Sequence, residues 1–578
     1  MPPNLQGRSE RKVIIVGGGL AGLASAVELA TLGCRVTLVE QNQHLGGKMN
    51  VLHERGYTFD MGPTILTLPQ VLRGIIRRSG RRVEDYIKLI NLSPQWRCHY
   101  EDKTVIDLTA DLDVFAAAMD RQFPQAKPGA GYKSFVEYSR KMMRLSEKVF
   151  FYKDVGGVWD MMKSPSKDPG VMGDVLGMRM YSTVGATVHK SINEPHLRQL
   201  CEHFLQYVGS SPFLAPAILS LIASAQVDHG CWYSMSPDSK AAAYARLVPN
   251  GLDAIAKNQT QTGAGHGAEQ GAEQGAGQGA EQGAGAGGTR CVARALEAIG
   301  REQGVEFITG VGVAKIRVKD KRAQGVELSD GRVLLADAVV SNCDVQRTYR
   351  DLIGDAPSQS EQRSIASDYT PACSGVVLYL GLNRQYPHLA HHNFLFSGDS
   401  HQEFDDIYRQ GIPARDPTLY LAVPSRTDPT QAPPGGESLY VLVHTAYKRG
   451  GQDWESPGGL MDQYKPVIMQ KLRRFGMEDI EKHIVVDRFL SPASIERLYN
   501  AEGGAIYGLA SHGKLKGGFK PKNRSRVYSN LYLAGGSANP GPGVPMVLMS
   551  GVTAARCAAH DLGLQVQQNL PLGMGVEI

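Results

Sequence analysis

Three closely spaced glycines near the N-terminus are well suited to holding a nucleotide. Gly17, Gly19 and Gly22 form the pattern G-x-G-x-x-G. In this pattern the first glycine allows a tight turn, the second lets a pyrophosphate approach the backbone, and the third lets a helix pack closely on a strand. The N–H groups of a helix that begins at Leu20 and Ala21 would point toward the pyrophosphate, and the helix dipole favours its charge. These five residues are predicted to bind a dinucleotide.

The segments around this turn must form two strands and a helix for that prediction to hold. Val13 to Val16 is an apolar run without alternation, typical of a parallel strand buried on both faces. Leu20 to Leu32 has the pattern of a helix, and Arg35 to Val39 that of a second strand. Glu40 follows 18 residues beyond the last glycine, where a carboxylate can accept both ribose hydroxyls of an adenosine and disfavours a 2′-phosphate. We include its neighbour Gln41 in the predicted site.

A second glycine-rich loop lies near the C-terminus. It follows an apolar strand pattern at Leu531 to Ala534 and precedes a helical pattern at Val547 to Leu562. N–H groups at a helix start would face an electron-rich ligand edge, which for a flavin is the O2 and N1 region that becomes negative on reduction. The residues predicted to contact the cofactor here are Gly535, Gly536, Val544, Pro545 and Met546.

Two shorter motifs favour FAD over NAD. The sequence Gly46-Gly47-Lys48 resembles the FAD-binding signature of the amine oxidase and carotenoid desaturase superfamily, and a plain NAD dehydrogenase would not need it. In the resembling flavoproteins the loop at Gly62-Pro63-Thr64 passes beside the isoalloxazine ring, and the backbone at Val313 touches the adenine. The resemblance therefore implies FAD, with these contacts at Gly46, Gly47, Lys48, Gly62, Pro63, Thr64 and Val313.

The composition excludes several other classes of protein. The net charge of the 578 residues is +5, and the basic residues are dispersed, so a nucleic acid partner is not expected. The eight cysteines show no C-x-x-C spacing, which predicts reduced cytoplasmic thiols and no metal site. The N-terminus is polar, and no apolar run approaches the length of a membrane-spanning helix.

Further blocks extend the resemblance to nearly the whole chain. Leu531 to Pro545, with Phe519 to Arg524 before it, looks like the C-terminal signature of bacterial and fungal phytoene desaturases and their diapophytoene relatives. Tyr207 to Pro212, Gly230 to Tyr233 and Ala390 to Asn393 follow in the order of that family. The resemblance implies an FAD-dependent oxidoreductase that desaturates a long carotenoid hydrocarbon by hydride transfer to flavin.

The same resemblance implies the partners and the location of the protein. They are a hydrophobic polyene substrate, a peripheral membrane surface, and a quinone or oxygen as electron acceptor, in a cytoplasmic, peripherally membrane-associated protein that could form oligomers. Asp160 falls where the family has an acidic residue, and we predict it as the catalytic base. Two residues depart from the family, which commonly has His at Asn539 and an acidic residue at Gln226.

The predicted fold class is α/β. It combines a Rossmann-like FAD-binding domain of the glutathione-reductase type with a discontinuous mixed α+β substrate domain and a helical membrane-associating part. The FAD-binding domain is expected from residues 1–68, 289–350 and 521–578, and the β-rich part of the substrate domain from 351–520. Residues 69–257 are expected to be the mainly helical segment. The Gly-, Ala-, Glu- and Gln-rich segment 258–288 is predicted to be a flexible insertion.

Three other functions remain open at this point. One is a related flavoenzyme that oxidises or desaturates carotenoid end groups or squalene derivatives. A second is an amine oxidase, which would need an aromatic cage and often has a lysine near flavin N5. The third is a flavin-binding protein without catalytic activity.

Overall fold

A computed structural model describes residues 10–157, 160, 181–237, 287–513 and 517–566. The predicted insertion at 258–288 therefore lies outside the described residues, apart from its last two glycines. No helix in these ranges is both long enough and apolar enough to cross a membrane.

The described chain contains both strands and helices. The strands are β1 Lys12–Val16, β2 Arg35–Glu40, β3 Val51–Glu54, β4 Tyr57–Asp60, β5 Lys88–Asn91, β6 Trp96–His99, β7 Val105–Leu108, β8 Trp232–Met235, β9 Glu306–Thr309, β10 Val313–Lys319, β11 Arg322–Leu328, β12 Val333–Leu335, β13 Ala338–Ser341, β14 Ser374–Leu382, β15 His392–Leu395, β16 Leu419–Ala422, β17 Glu437–Thr445, β18 Ile484–Leu490 and β19 Leu531–Leu533. The α-helices are α1 Leu20–Thr31, α2 Pro69–Arg78, α3 Leu112–Gln122, α4 Gly129–Val149, α5 Val184–Ser191, α6 Pro195–His203, α7 Leu221–His229, α8 Arg290–Glu302, α9 Ala356–Asp368, α10 Ser400–Asp405, α11 Leu460–Arg474, α12 Pro492–Tyr499 and α13 Val544–Asp561, with a further short turn at Val345–Arg347.

A parallel five-stranded sheet is built from distant parts of the chain. Its order is β19-β13-β1-β2-β9, and all neighbours run parallel. The apolar run in β1 is buried, as its pattern predicts. Helices α1 and α13 pack closely, since a Cβ at Gly551 would lie under 3.0 Å from the Ala21 carbonyl oxygen, and Ser25 Oγ donates to Gly551 O at 2.8 Å. The two helices that follow the predicted glycine loops thus pack against each other.

The other large sheet has seven strands in the order β18-β14-β17-β16-β15-β6-β7. Every residue of β14 and β17 is buried, because both faces of these central strands are covered. One face packs on α11 and its neighbours. The opposite face joins the main core, which also includes the helices between residues 69 and 235.

The helical pattern between residues 69 and 235 missed four strands. Strands β6 and β7 belong to the seven-stranded sheet, and β5 pairs with β8. Each is four residues long, too short for a clear alternation, and β5 finds its partner more than 130 residues away. Helix α7 begins at Leu221, directly after a 3-10 turn at Ala217–Ser220.

The burial of Lys520 makes the stability of the folded protein depend on pH. Its side chain is 1% exposed, and Nζ donates to Ser511 Oγ at 2.8 Å and to Ala510 O at 3.2 Å. Burial lowers the pKa of Lys520 to about 7. The native protein therefore binds fewer protons than the unfolded chain between about pH 7 and pH 10.5, and its stability should rise with pH across that window by about 1.4 kcal/mol per pH unit.

We expect Lys520→Met to remove this dependence. The variant should melt at a higher temperature than the wild type at pH 6.5, and the difference should shrink as the pH approaches 10. Thermal melting at one scan rate across this range measures the effect. A difference between the two proteins that does not change with pH would contradict the assignment of the buried charge to Lys520.

Candidate functional site

A cavity of about 410 Å³ lies between the two large sheets. At one end it meets the carboxyl ends of β1 and β2, where open parallel sheets commonly bind ligands. The predicted cofactor residues that line it are Gly17, Gly19, Leu20, Ala21, Glu40, Gln41, Gly46, Gly47, Lys48, Gly62, Pro63, Thr64, Val313, Gly535, Gly536 and Val544. Gly22, Pro545 and Met546 are not among the lining residues. The cavity therefore brings together motifs separated by about 500 residues.

The first glycine turn has no room for side chains. A Cβ at Gly22 would lie under 3.0 Å from the Gly17 carbonyl oxygen, and a Cβ at Gly47 would lie 3.1 Å from the Gly19 Cα. The second pair of glycines also supports the first turn, because Gly46 N–H donates to Gly18 O at 2.8 Å. The turn at Gly17 to Gly22 and the pair Gly46-Gly47 therefore form one backbone cradle.

Glu40 stabilises this cradle as well as facing the cavity. Its Oε2 accepts from Gly18 N–H at 2.7 Å, and its Oε1 accepts from the backbone N–H and the side-chain amide of Asn42, both at 2.9 Å. Burial raises the pKa of Glu40, opposed by these hydrogen bonds. The backbone N–H of Gln41 is a further hydrogen-bond donor to this carboxylate. A carboxylate has about four acceptor positions, so a ribose hydroxyl would have to share or displace one of these bonds.

Asn342 connects the two glycine loops, and the sequence analysis missed it. Its Oδ1 accepts from Gly22 N–H at 3.0 Å, and its Nδ2 donates to Ala534 O at 3.2 Å. A Cβ at Gly19 or at Gly535 would lie 2.7 Å from its side chain. The sequence feature that could have identified Asn342 is its position directly after the buried strand β13, at the carboxyl edge of the parallel sheet.

Lys48 brings a positive charge to the cavity wall. Its Nζ donates to the carbonyl oxygens of Ala505 at 3.0 Å and Ile506 at 3.2 Å. Burial lowers the pKa of Lys48 to about 8, opposed by the nearby charge of Asp344. Lys48 therefore remains mostly protonated at neutral pH, where it complements an anionic ligand.

The residues at this end fit FAD. Helices α1 and α13 begin beside the cavity at Leu20 and Val544, and their N-caps are the glycines Gly19 and Gly543, which make no side-chain capping bond. The first N–H groups of each helix lack partners within the helix, and such groups bind phosphate or other electron-rich ligand atoms. FAD could thus be held by α1 at its diphosphate and by α13 at its flavin.

The opposite end of the cavity is aromatic. Trp96 and Phe394 have ring centroids 4.5 Å apart, and those of Tyr420 and Tyr440 are 6.1 Å apart. Further apolar surface comes from Val377, Leu442, Leu490, Ile495, Tyr499 and Tyr507. No short sequence pattern predicts this wall, because its residues come from separate strands and loops.

Comparison with known proteins assigns the family. Residues 20–559 match the family model for flavin containing amine oxidoreductases. The chain belongs to the flavin-containing amine oxidoreductase family. It is an FAD-dependent oxidoreductase, which confirms the predicted superfamily, cofactor and enzyme class.

Curated relatives of this flavoenzyme are similar over nearly their full length. The 4,4′-diapolycopene oxygenase of Methylomonas sp is 33% identical over 552 residues, covering 95% of this chain and 98% of that protein. A 4,4′-diaponeurosporene oxygenase of Staphylococcus aureus (strain MSSA476) is 32% identical over 551 residues, covering 94% and 97% respectively.

Solved structures show the same fold at low sequence identity. A putrescine oxidase mutant has a TM-score of 0.55 at 13% identity, covering 96% of this chain and 99% of its own. An oxidoreductase from Methanosarcina mazei has a TM-score of 0.53 at 15% identity, covering 94% and 99%. The predicted mixed α/β flavoenzyme fold is therefore confirmed.

Three polar residues of this flavoenzyme stand out in the sequence: Asp160 as the predicted base, and Gln226 and Asn539 as departures from the family pattern. Asp160 accepts from Lys522 Nζ at 2.8 Å and from Gly156 N–H at 3.0 Å. It is not among the described residues that line the cavity. Its role as a catalytic base therefore stays a prediction without structural support. Gln226 is fully buried, accepting from Tyr207 OH at 2.8 Å. Asn539 donates to Lys153 O at 2.6 Å. Gln226 and Asn539 therefore form hydrogen bonds with other groups of the protein.

The adjacent histidines His391 and His392 take part in hydrogen bonds. His392 Nδ1 bonds with Tyr420 OH at 2.8 Å, and Tyr420 OH bonds with Thr64 Oγ1 at 2.5 Å. His391 Nδ1 bonds with Thr427 Oγ1 at 2.7 Å. His392 is the first residue of strand β15. Among the described residues no group of three or more His, Cys, Asp or Glu could hold a metal ion.

We expect Tyr420→Phe to destabilise the flavoenzyme while leaving FAD bound. The change removes the hydroxyl between Thr64 and His392, so two buried polar groups lose a partner, at a cost of about 1–3 kcal/mol. Thermal melting of the holoenzyme measures it. Tyr440→Phe is the matched control because Tyr440 lines the same cavity outside this hydrogen-bonded chain. Equal melting temperatures for the two variants would contradict the prediction.

Proposed function

We propose that this flavoenzyme oxidises a long, linear polyene of the carotenoid class. The observation that carries the proposal is the composition of the cavity beyond the nucleotide cradle. Among the described lining residues the carboxylates are Glu40 and Asp344, which lie near the two glycine loops. The wall at the other end is mostly aromatic and aliphatic, with His203, Gln206 and His444 as its uncharged polar residues, and burial of a hydrocarbon there would contribute about 25 cal/mol per Å².

An amine is a poorer match for this wall. A protonated amine moved out of water needs a compensating negative charge. The aromatic end has tyrosines that could surround an amine, but its described residues include no carboxylate. The lack of charge at this end supports a neutral, apolar substrate.

We propose oxygenation of a chain end as the reaction. Both relatives described above are named oxygenases of diapo-carotenoids. In such a reaction a terminal methyl group and O2 would give an aldehyde and water. Bound FAD would supply the redox chemistry, and the aromatic wall would hold the chain in line and exclude water.

Desaturation is the second candidate. It is favoured by the C-terminal segment Leu531 to Pro545, which resembles phytoene desaturases. In that reaction a hydride and a proton would leave neighbouring carbons to form a double bond. A quinone or oxygen would then serve as the final electron acceptor.

Expression in a bacterial host that makes linear polyenes tests both candidates. Mass spectrometry of the pigments should show the gain of one oxygen and the loss of two hydrogens, with the oxygen taken from isotopically labelled O2. Loss of two hydrogens alone would favour desaturation. No new polyene from any supplied precursor would reject both and favour a flavin protein without catalytic activity. Cells without the gene provide the background.

We further propose that the protein works in the cytoplasm at a membrane surface. A long polyene dissolves in the bilayer, so the enzyme must take it from there. The proposed contact is the segment 69–257 that the sequence predicts to be mainly helical, and oligomers could form on the membrane. Flotation with liposomes tests this proposal, and protein that stays wholly in the soluble fraction would contradict it.

A further inference from the structure

Three polar residues interrupt the aromatic end of the cavity. His203, Gln206 and His444 line it and are 5%, 3% and 5% exposed. The Nε2 atom of each is buried and has no hydrogen-bond partner in the described part of the chain. Trp96 Nε1 and Tyr499 OH in the same wall are also buried without a partner among the described residues. An unpaired buried polar group costs about 1–3 kcal/mol, so such a cluster in one cavity wall calls for a functional reason.

The fold brings these residues together from two elements. His203 is the last residue of α6, and Gln206 lies in the following 3-10 turn at Phe204–Val208. Residues three apart in such a turn lie on the same side. His444 comes from β17, and it lies near enough to lower the pKa of His203.

Aromatic neighbours limit the movement of both imidazoles. The His203 ring lies against Phe394, with centroids 4.6 Å apart, and against Phe396 at 5.2 Å. The His444 ring stacks on Tyr507 with centroids 6.1 Å apart. The side chains are therefore held in place before any ligand binds.

Gln206 keeps one polar atom available in either orientation of its amide. Its Oε1 bonds with Tyr408 OH at 3.3 Å. Since a tyrosine hydroxyl both donates and accepts, turning the amide over would exchange the atom that meets Tyr408 and leave the other one unpaired.

The three residues carry no net charge at neutral pH. Burial lowers the pKa of His203 well below its usual range and that of His444 to about 4. A neutral imidazole has one donor and one acceptor nitrogen. The cluster can therefore bind a neutral oxygen group, but it offers no charge to a carboxylate or an ammonium.

We propose that His203, Gln206 and His444 form a subsite that binds a hydroxyl or aldehyde oxygen on the polyene. This inference rests on the proposed function and extends it by naming the end group that the cavity recognises. The enzyme would thus hold a partly oxidised chain end more tightly than the hydrocarbon.

Anaerobic titration of the holoenzyme tests the subsite. The probes are geranylgeraniol, geranylgeranial, geranylgeranoic acid and the matching hydrocarbon without oxygen, and the readout is the change in flavin absorbance. With one or two new hydrogen bonds, we expect the alcohol and the aldehyde to bind about 10-fold more tightly than the hydrocarbon. The acid should bind no more tightly than the hydrocarbon.

Variants locate the preference. In Gln206→Leu and His444→Leu the alcohol and the hydrocarbon should bind within about twofold of each other, with hydrocarbon binding unchanged. His388→Leu is the matched control, because His388 Nε2 also lacks a partner but His388 does not line the cavity. Its preference should equal that of the wild type.

The possible failures can be distinguished. Equal affinity of the wild type for alcohol, aldehyde and hydrocarbon would overturn the subsite and leave the proposed function standing, and this result needs no variant to fold. A preference that survives in both folded leucine variants would also overturn the subsite. No binding of any of the four probes would contradict the subsite and the apolar substrate together.

Discussion

Asn342→Leu should purify with little or no FAD. The change removes the acceptor for Gly22 N–H and the donor to Ala534 O, so both backbone groups lose their partner. Two groups at about 1–3 kcal/mol each and 1.4 kcal/mol for each factor of ten correspond to a fall in FAD affinity of about 25-fold or more, if the loss falls on the loops that hold the bound cofactor. The flavin-to-protein ratio after gel filtration, and the FAD dissociation constant of the reconstituted apoenzyme, measure the loss.

Two further variants separate the role of Asn342 from general damage. Asn342→Asp keeps the acceptor for Gly22 N–H but loses the donor and adds a negative charge beside the predicted diphosphate site, so it should also bind FAD weakly while melting closer to the wild type. Asn193→Leu removes a single bond to Ala126 O away from the cavity and should retain FAD. Full FAD occupancy in Asn342→Leu would refute the linking role.

The part of the site that the sequence predicts well is the part encoded within short segments. Strand β1, the glycine turn, helix α1 and Glu40 follow one another without interruption. Each step depends on residues only a few positions away, so the local pattern contains the necessary information. The boundaries of α1 and β2 accordingly fall within one residue of those predicted from the sequence.

The other part of the site depends on pairings across hundreds of residues. Asn342 meets Gly22 across 320 positions, and the aromatic wall joins β6 to β15, β16 and β17. A strand of four residues does not reveal its partner in its own sequence, since pairing depends on which faces the rest of the fold buries. The sequence therefore predicts the cofactor cradle but not the aromatic end of the cavity.

Asn342 also implies that the two ends of the cofactor site are coupled. Its side chain bonds to the turn that serves the diphosphate and to the strand end that leads into the flavin loop. A shift of one loop would therefore disturb the other through two hydrogen bonds. Variants at either loop should lose FAD as a whole, with no intermediate form that retains only the nucleotide end.

Gly22→Ala should strongly damage the cofactor cradle although it adds only one methyl group. The added Cβ would lie under 3.0 Å from the Gly17 carbonyl oxygen, and backbone, unlike a flexible side chain, cannot turn aside. Helix α1 cannot move away easily, because it packs so closely on α13 that a Cβ at Gly551 would lie under 3.0 Å from Ala21 O, and because Ser25 Oγ bonds to Gly551 O. Overpacking of this kind costs about 1–3 kcal/mol or more.

The expected result is loss of FAD together with a lower melting temperature of the apoprotein, because the clash acts on the folded chain whether or not FAD is bound. Flavin absorbance and thermal melting measure the two effects separately. Gly450→Ala is the matched control, since a Cβ there meets nothing within 4 Å, and it should retain both FAD and stability. A Gly22→Ala protein with normal FAD content would contradict the close packing of α1 on the first turn. It would also contradict the prediction that Gly22 lets the helix approach the strand.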